Sequence, residues 1–433
     1  VLPAISRATK KELTKEAEKI MKFMNRAVFV LLALVPVLAV AVIALATLDR
    51  GHSLENPTRV LEHPGPPNLP LIPVFNDVDA VVFCGGRGYT AGSIITDAAF
   101  LDRFALPRTY AGKADRYAMD IPNGPRGTRG MDMLPDCSRA FVADTSVNRI
   151  RVVDSSVGSK AWGNAKATEG LVGTIPDIDT PHVVAVKDGN VYVTAGTNDP
   201  LLLQIGRKAG TPEAYEIKAR LNLTDCNTPR SMVLDDSFGF ALIGCSISNN
   251  VLKVGLNPLR LIASVRTHDP DNGRDGSGPY DIAIRKAGDK TFFYTANKNS
   301  DTVSVIEDQG SALALVAAVK VVGKPVDLTN CAAHGQDCAV IFSPEPWSVA
   351  VSPNGRFVFT SNNVDRSVGV ICAANNTFLG SWRALPVLST RLADVLATTR
   401  IGTDDILYVA EGGTGLYPYA INTLNHLYAA CPG

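Results

Sequence analysis

Charge is scarce in this chain of 433 residues and its signs cancel: Asp, Glu, Lys and Arg make up 19% of it, with 42 basic residues against 42 acidic ones. No global field remains to hold a polyanion, so nucleic acid is not an expected partner. Histidine is sparse at six residues, and no two share the spacing of a metal site. The eight cysteines form no CxxC pair and no CxxCH sequence, which argues against zinc and c-type haem. No HExxH, Ser-His-Asp order, phosphate loop or dinucleotide fingerprint is present. The glycine-rich pieces at 85–88 and 412–415 lie between strands, not ahead of helices, and read as turns. What is abundant is apolar residues, at 46%, punctuated by 36 glycines and 27 prolines. That composition suits either two average domains or one large repeat-built domain rich in turns.

One long hydrophobic run breaks the even pattern. From Ala27 to Leu48 the chain reads AVFVLLALVPVLAVAVIALATL with no charge, enough as a helix to cross roughly 30 Å of hydrocarbon. A core helix is the bland alternative, but core helices usually keep a polar face. Ahead of the run Arg7, Lys10, Lys11, Lys15, Lys19, Lys22 and Arg26 outnumber Glu12, Glu16 and Glu18, whereas Asp49 and Arg50 beyond it cancel. The positive-inside rule then predicts a single-pass membrane protein, N-terminus cytoplasmic (or matrix or stromal) and the remainder extracytoplasmic. The domain plan is a basic amphipathic segment over 1–26, a transmembrane helix over 27–48, a Pro-rich stalk over 49–73 containing HPGPPNLPLIP, and an exported domain over 74–433.

All eight cysteines lie beyond the run, and an even number on an exported side reads as disulfides. Cys331 with Cys338 closes a short loop, and Cys226 with Cys245 suits adjacent strands; Cys84, Cys137, Cys372 and Cys431 stay unassigned. Asn222-Leu-Thr224 and Asn375-Asn-Thr377 are glycan acceptors if the protein is eukaryotic and secretory, although such triplets also arise by chance.

Past the stalk the chain repeats itself. A short apolar strand, a polar turn and an alternating strand recur as AVVFCGGRGYTAGSIIT from Ala80, AFVADTSVNRIRVVD from Ala140, VYVTAGTNDPLLLQI from Val191, GFALIGCSISNNVLKV from Gly239, TFFYTANKNSDTVSVI from Thr291, RFVFTSNNVDRSVGVI from Arg356 and ILYVAEGGTGLYPYAI from Ile406. Five copies follow a further strand: RGMDM at 129–133, PHVVAV at 181–186, PRSMVL at 229–234, PYDIAI at 279–284 and PWSVAV at 346–351. Period-two alternation with a polar turn after each predicts four-stranded units, and units of that kind repeated radially predict an all-β, seven-bladed β-propeller behind the single N-terminal transmembrane helix. In Tyr294-Thr-Ala-Asn-Lys-Asn-Ser-Asp-Thr-Val-Ser-Val-Ile306 and Phe359-Thr-Ser-Asn-Asn-Val-Asp-Arg-Ser-Val-Gly-Val-Ile371 the chain resembles the YVTN family of seven-bladed propellers, from about Pro70 onward. The resemblance implies the fold; relatives include lactonase-like enzymes, amine dehydrogenase heavy subunits and scaffold proteins, so function stays open.

Aligning the copies brings Arg129, His182, Arg230, Tyr280 and Trp347 to one mouth of the expected central channel. Two arginines, a histidine and two aromatics suit a carboxylate or phosphate with a planar or apolar body; alternatively these side chains simply plug the channel. Asp269, Asp271 and Asp275, alternating around turn glycines, make a candidate calcium loop, although acidic turns of this kind are common without metal. No other cofactor is indicated. The reading that follows is a membrane-anchored interaction or scaffold module with other protein subunits as partners, more a binder than an enzyme. The alternative is a lactonase-like hydrolase or small-anion binder that uses the channel mouth.

Overall fold

Strands this short and this apolar cannot shield their own faces, so they are stable only when sheet stacks on sheet. The computed structural model describes residues 77–93, 99–105, 115–119, 128–156, 171–235, 237, 239–267, 278–321, 344–364, 366–383, 393–411, 415–423 and 425–431. Among them are six four-stranded antiparallel sheets, each a simple meander, and one three-stranded sheet. We number the four-stranded blades 1 to 6, spanning 77–119, 128–175, 183–222, 229–266, 279–320 and 346–383; the three-stranded sheet occupies 393–420. The innermost strand of each lies against that of the next, and Ala393–Ile401 of the three-stranded sheet returns to Asp77–Cys84 of blade 1. The result is an all-β propeller.

The core follows from this stacking. It is a ring of apolar clusters, each between two neighbouring sheets: Tyr192 and Leu202 of blade 3 pack on Ile243 and Leu252 of blade 4, and Phe240 and Leu242 of blade 4 on Phe293 and Ile306 of blade 5. Central strands are therefore covered on both faces. Phe240–Cys245 and Asn250–Leu256 are buried at every residue, which is why they read as continuous rather than alternating apolar runs, whereas the outermost Leu259–Arg266 is half open. The ring closes where Val78 and Phe104 of blade 1 meet Ile406, Tyr408 and Leu416 of the three-stranded sheet. Phe83 stacks there at 5.1 Å on Tyr408, whose phenol burial pushes up to about 12.

Two expectations are corrected. Seven four-stranded units were expected; among the described residues six are complete and the last repeat has three strands. After Gly415–Ala420 the chain turns into a short helical segment, Asn425–Ala430, instead of a fourth strand. Pro418 in the third strand fits a sheet edge, where a missing N–H costs least. The segment is pinned to blade 6 instead. Tyr428 meets Phe357 edge to face at 5.0 Å, Arg356 Nε donates to the Cys431 carbonyl at 2.9 Å, and Cys431 is bonded to Cys372.

The second correction concerns the membrane. Among the described residues no helix is long and apolar enough to cross one, so the single-pass, outward-facing arrangement is not upheld. The described chain is strands, turns and short helical segments. Residues 1–26, 27–48 and 49–73, which carried that reading, lie outside the described residues.

Candidate functional site at the channel

All seven innermost strands contribute to one central cavity of about 1130 Å³. Its wall is mostly apolar, from Val81, Met131, Val184, Met232 and Val395, while Arg129, Arg230, Tyr280 and Trp347 also line it. Four of the five residues proposed from the repeat alignment therefore come together. The device that places them is a β-bulge at the start of the strand. In blade 5, Pro279 pairs with Asn297 and Asp281 with Ala296, which leaves Tyr280 as an extra residue. Arg230 in blade 4 and Trp347 in blade 6 hold the same extra position, as does Asp79 in blade 1. An extra residue escapes the ladder's alternation, so its side chain can be re-aimed.

Arg230, Tyr280 and Trp347 form a stack. The Arg230 guanidinium carbon lies 5.0 Å from the Tyr280 ring centre, and the two rings are 5.3 Å apart, tilted by 38°. Lys298 Nζ sits 4.8 Å from the Trp347 ring and 3.7 Å from Glu345. Arg129 is exposed, and neither it nor Arg230 has an ion-pair partner among the described residues. Arg230 Nε and Trp347 Nε1 are buried with no acceptor among the described residues, an arrangement that costs roughly 1–3 kcal/mol per group unless something else accepts the bond.

His182 departs from the set. It does not line the cavity and is 5% exposed, with neither ring nitrogen bonded. Its N–H donates to the Thr194 carbonyl at 2.8 Å, so the backbone here is held in the sheet. Gly130 allows the approach: a Cβ there would stand 2.9 Å from both the His182 carbonyl and Val183 Cα. Burial, and next the charge of Arg129, hold the imidazole down to about 4, with Asp179 opposing. It is neutral at physiological pH.

The repeat alignment did not single out two carboxylates on the same strands, Asp132 three residues after Arg129 and Asp281 next to Tyr280. Asp132 Oδ2 accepts the Val186 N–H at 2.7 Å and Oδ1 that of Met133 at 2.8 Å. Asp281 accepts the Ser348 hydroxyl at 2.6 Å, the Val349 N–H at 3.0 Å and the Ile282 N–H at 2.8 Å. Ser348 Oγ in turn accepts the Leu396 N–H at 3.1 Å. Each staples one innermost strand to the next, across blades 2 and 3, 5 and 6, and 6 and the three-stranded sheet. Burial raises the Asp281 carboxyl while these hydrogen bonds oppose it. The signal was legible: an acid in the middle of an apolar strand, as in RGMDM and PYDIAI.

The remaining candidates fall elsewhere. Asp269, Asp271 and Asp275 lie outside the described residues, as do Cys331 and Cys338. The Cys226–Cys245 bond is present, and Cys84–Cys137 and Cys372–Cys431 join it. Asn222 and Asn375 are both exposed.

No family model matches the chain, and no curated protein is significantly similar to it in sequence. Solved structures are similar in fold. The β-propeller domain of Cps50 (Swd1) from Myceliophteria thermophila superposes with a TM-score of 0.55 at 10% identity, covering 81% of this chain and 100% of that one. A protein from Lactobacillus plantarum gives 0.53 at 12% identity over 71% and 84%. The dihydro-heme d1 dehydrogenase NirN, in complex with DHE, gives 0.51 at 14% over 85% and 80%. Identities this low establish the propeller and nothing about activity.

Proposed function

We propose that the chain is a YVTN-type propeller that works as a protein-interaction or scaffold module, an accessory subunit held in an oxidising compartment. The observation that carries this is the outer strand of blade 5, which among the described residues is an edge. Its outermost strand, Leu313–Lys320, reads LALVAAVK and has no charge before its last residue. Val316 on it is 45% exposed, and Leu261, on the adjoining outermost strand of blade 4, is 38% exposed. Edges of monomeric sheets are normally protected by charge or proline, so an uncharged apolar one favours a partner strand or apolar surface. Three disulfides among the described residues support an oxidising compartment. The hydrolase alternative is disfavoured because Asp132 and Asp281 at the channel accept backbone amides and so are occupied as staples.

The test compares wild type with Val316→Lys in chemical cross-linking and affinity purification from the native source. A stoichiometric partner held by the wild type and lost by the variant is expected. Equal recovery by both, or no stoichiometric partner, would overturn the reading. Turnover of a lactone by the purified chain, abolished in Arg129→Ala, would place the hydrolase first.

A further inference from the structure

We propose that the end of the central channel framed by Arg129, Arg230, Tyr280 and Trp347 binds a flat aromatic carboxylate. This goes beyond the partner surface on blade 5 and does not depend on it. Three features converge. The first is charge. Arg129 and Arg230 have no ion-pair partner among the described residues, whereas Lys298 over the Trp347 ring is paired with Glu345 at 3.7 Å and adds no free charge. Asp79 of blade 1 shares the bulge position and brings one acid to this level, while the carboxylates of Asp132 and Asp281 are engaged by backbone amides and Ser348 and do not pair directly with the arginines.

The second feature is the set of donors. Arg230 Nε and Trp347 Nε1 are buried N–H groups without acceptors among the described residues, and both belong to residues that line the same cavity. Donors without acceptors call for a ligand that supplies acceptor oxygens, and a guanidinium favours a planar two-oxygen anion over a neutral carbonyl. The third is shape and polarity. Tyr280 and Trp347 bring two rings 5.3 Å apart to this end, and further along the innermost strands the wall includes Val81, Met131, Val184 and Met232. A carboxylate at the rim with its ring directed inward meets each surface with its own kind. A volume of about 1130 Å³ leaves room for a fused bicycle. The bulges at Arg230, Tyr280 and Trp347 set these three side chains at one level, a repeated departure from sheet pairing whose common outcome is this constellation.

The experiment is calorimetric titration of the full chain with 2-naphthoate, 2-naphthamide and acetate. The acid separates from the amide by charge alone, and from acetate by the ring. Binding of 2-naphthoate at least roughly tenfold tighter than either comparator, weakening as salt is raised, is expected. Arg129→Ala and Arg230→Lys should each weaken it by about fivefold or more, the lysine because it keeps the charge but loses the planar fork. Arg129 is exposed, so its variant decides the matter should Arg230→Lys lower the melting midpoint. Absence of 2-naphthoate binding, equal affinity for the amide, or unchanged affinity in Arg129→Ala would each overturn the proposal. A stoichiometric protein partner found alongside any of these would leave the blade 5 reading standing and remove only this one.

Discussion

His182 shows how one buried imidazole ties the stability of the fold to pH. Both ring nitrogens lack partners, and burial with the Arg129 charge lowers its titration to about 4, against 6.5 when free. The unfolded chain therefore binds a proton near pH 6.5 that the folded chain refuses until about pH 4. Stability from this group is complete above pH 6.5 and is lost as pH falls toward 4, by roughly 3 kcal/mol in all. His182→Phe should flatten that part of the profile, read as the difference in denaturant midpoint between pH 4.5 and 7.5. An unchanged slope would show that the imidazole titrates freely in the fold. The sequence placed His182 at an aligned position but not its burial, which depends on Gly130 admitting the neighbouring backbone.

Disulfides separate what is legible within an element from what is not. Cys226 and Cys245 are 19 residues apart, ending a loop and a strand of one blade, and their pairing can be read from spacing. Cys84–Cys137 spans 53 residues and joins blade 1 to the first turn of blade 2; Cys372–Cys431 spans 59 and ties blade 6 to the C-terminal segment. Nothing local announces either. Loop-closure entropy predicts that Cys→Ala pairs cost about 3 kcal/mol for the short loop and about 4 for each of the long ones. Denaturant titration of the three double variants checks the order, and equal or reversed losses would contradict it. Bulges belong to the same scale: one extra residue in a strand leaves the apolar pattern readable while moving Tyr280 out of its ladder.

At the scale of the whole molecule, stability rests on closing the ring, and among the described residues the closing sheet has three strands. Asn425–Ala430 braces blade 6 beside it, through Tyr428 on Phe357 and Arg356 on the Tyr428 and Cys431 carbonyls. Trp382, 1% exposed, bridges from Phe359 of blade 6 to Tyr419 of the three-stranded sheet. Deleting residues 424–433 together with Cys372→Ser should loosen this sector first. Amide exchange should rise in Phe357–Asn362 and Gly415–Ala420 while Phe240–Cys245 of blade 4 keeps its protection. Uniform loss around the ring would mean that the propeller opens as one unit. Unchanged exchange would mean that the segment is ornamental.

The amino-acid pattern alone determined the all-β class, the repeat unit, five of the seven innermost strands and four of the residues that line the channel. Each of these follows from period-two alternation and turn residues, which act over a few neighbours in sequence. Tertiary structure decided the rest: which cysteines meet across blades, that His182 is buried away from the cavity, and that Asp132 and Asp281 staple strands. Those outcomes depend on which surfaces face each other after the ring closes, and a surface tens of residues away leaves no trace in local periodicity.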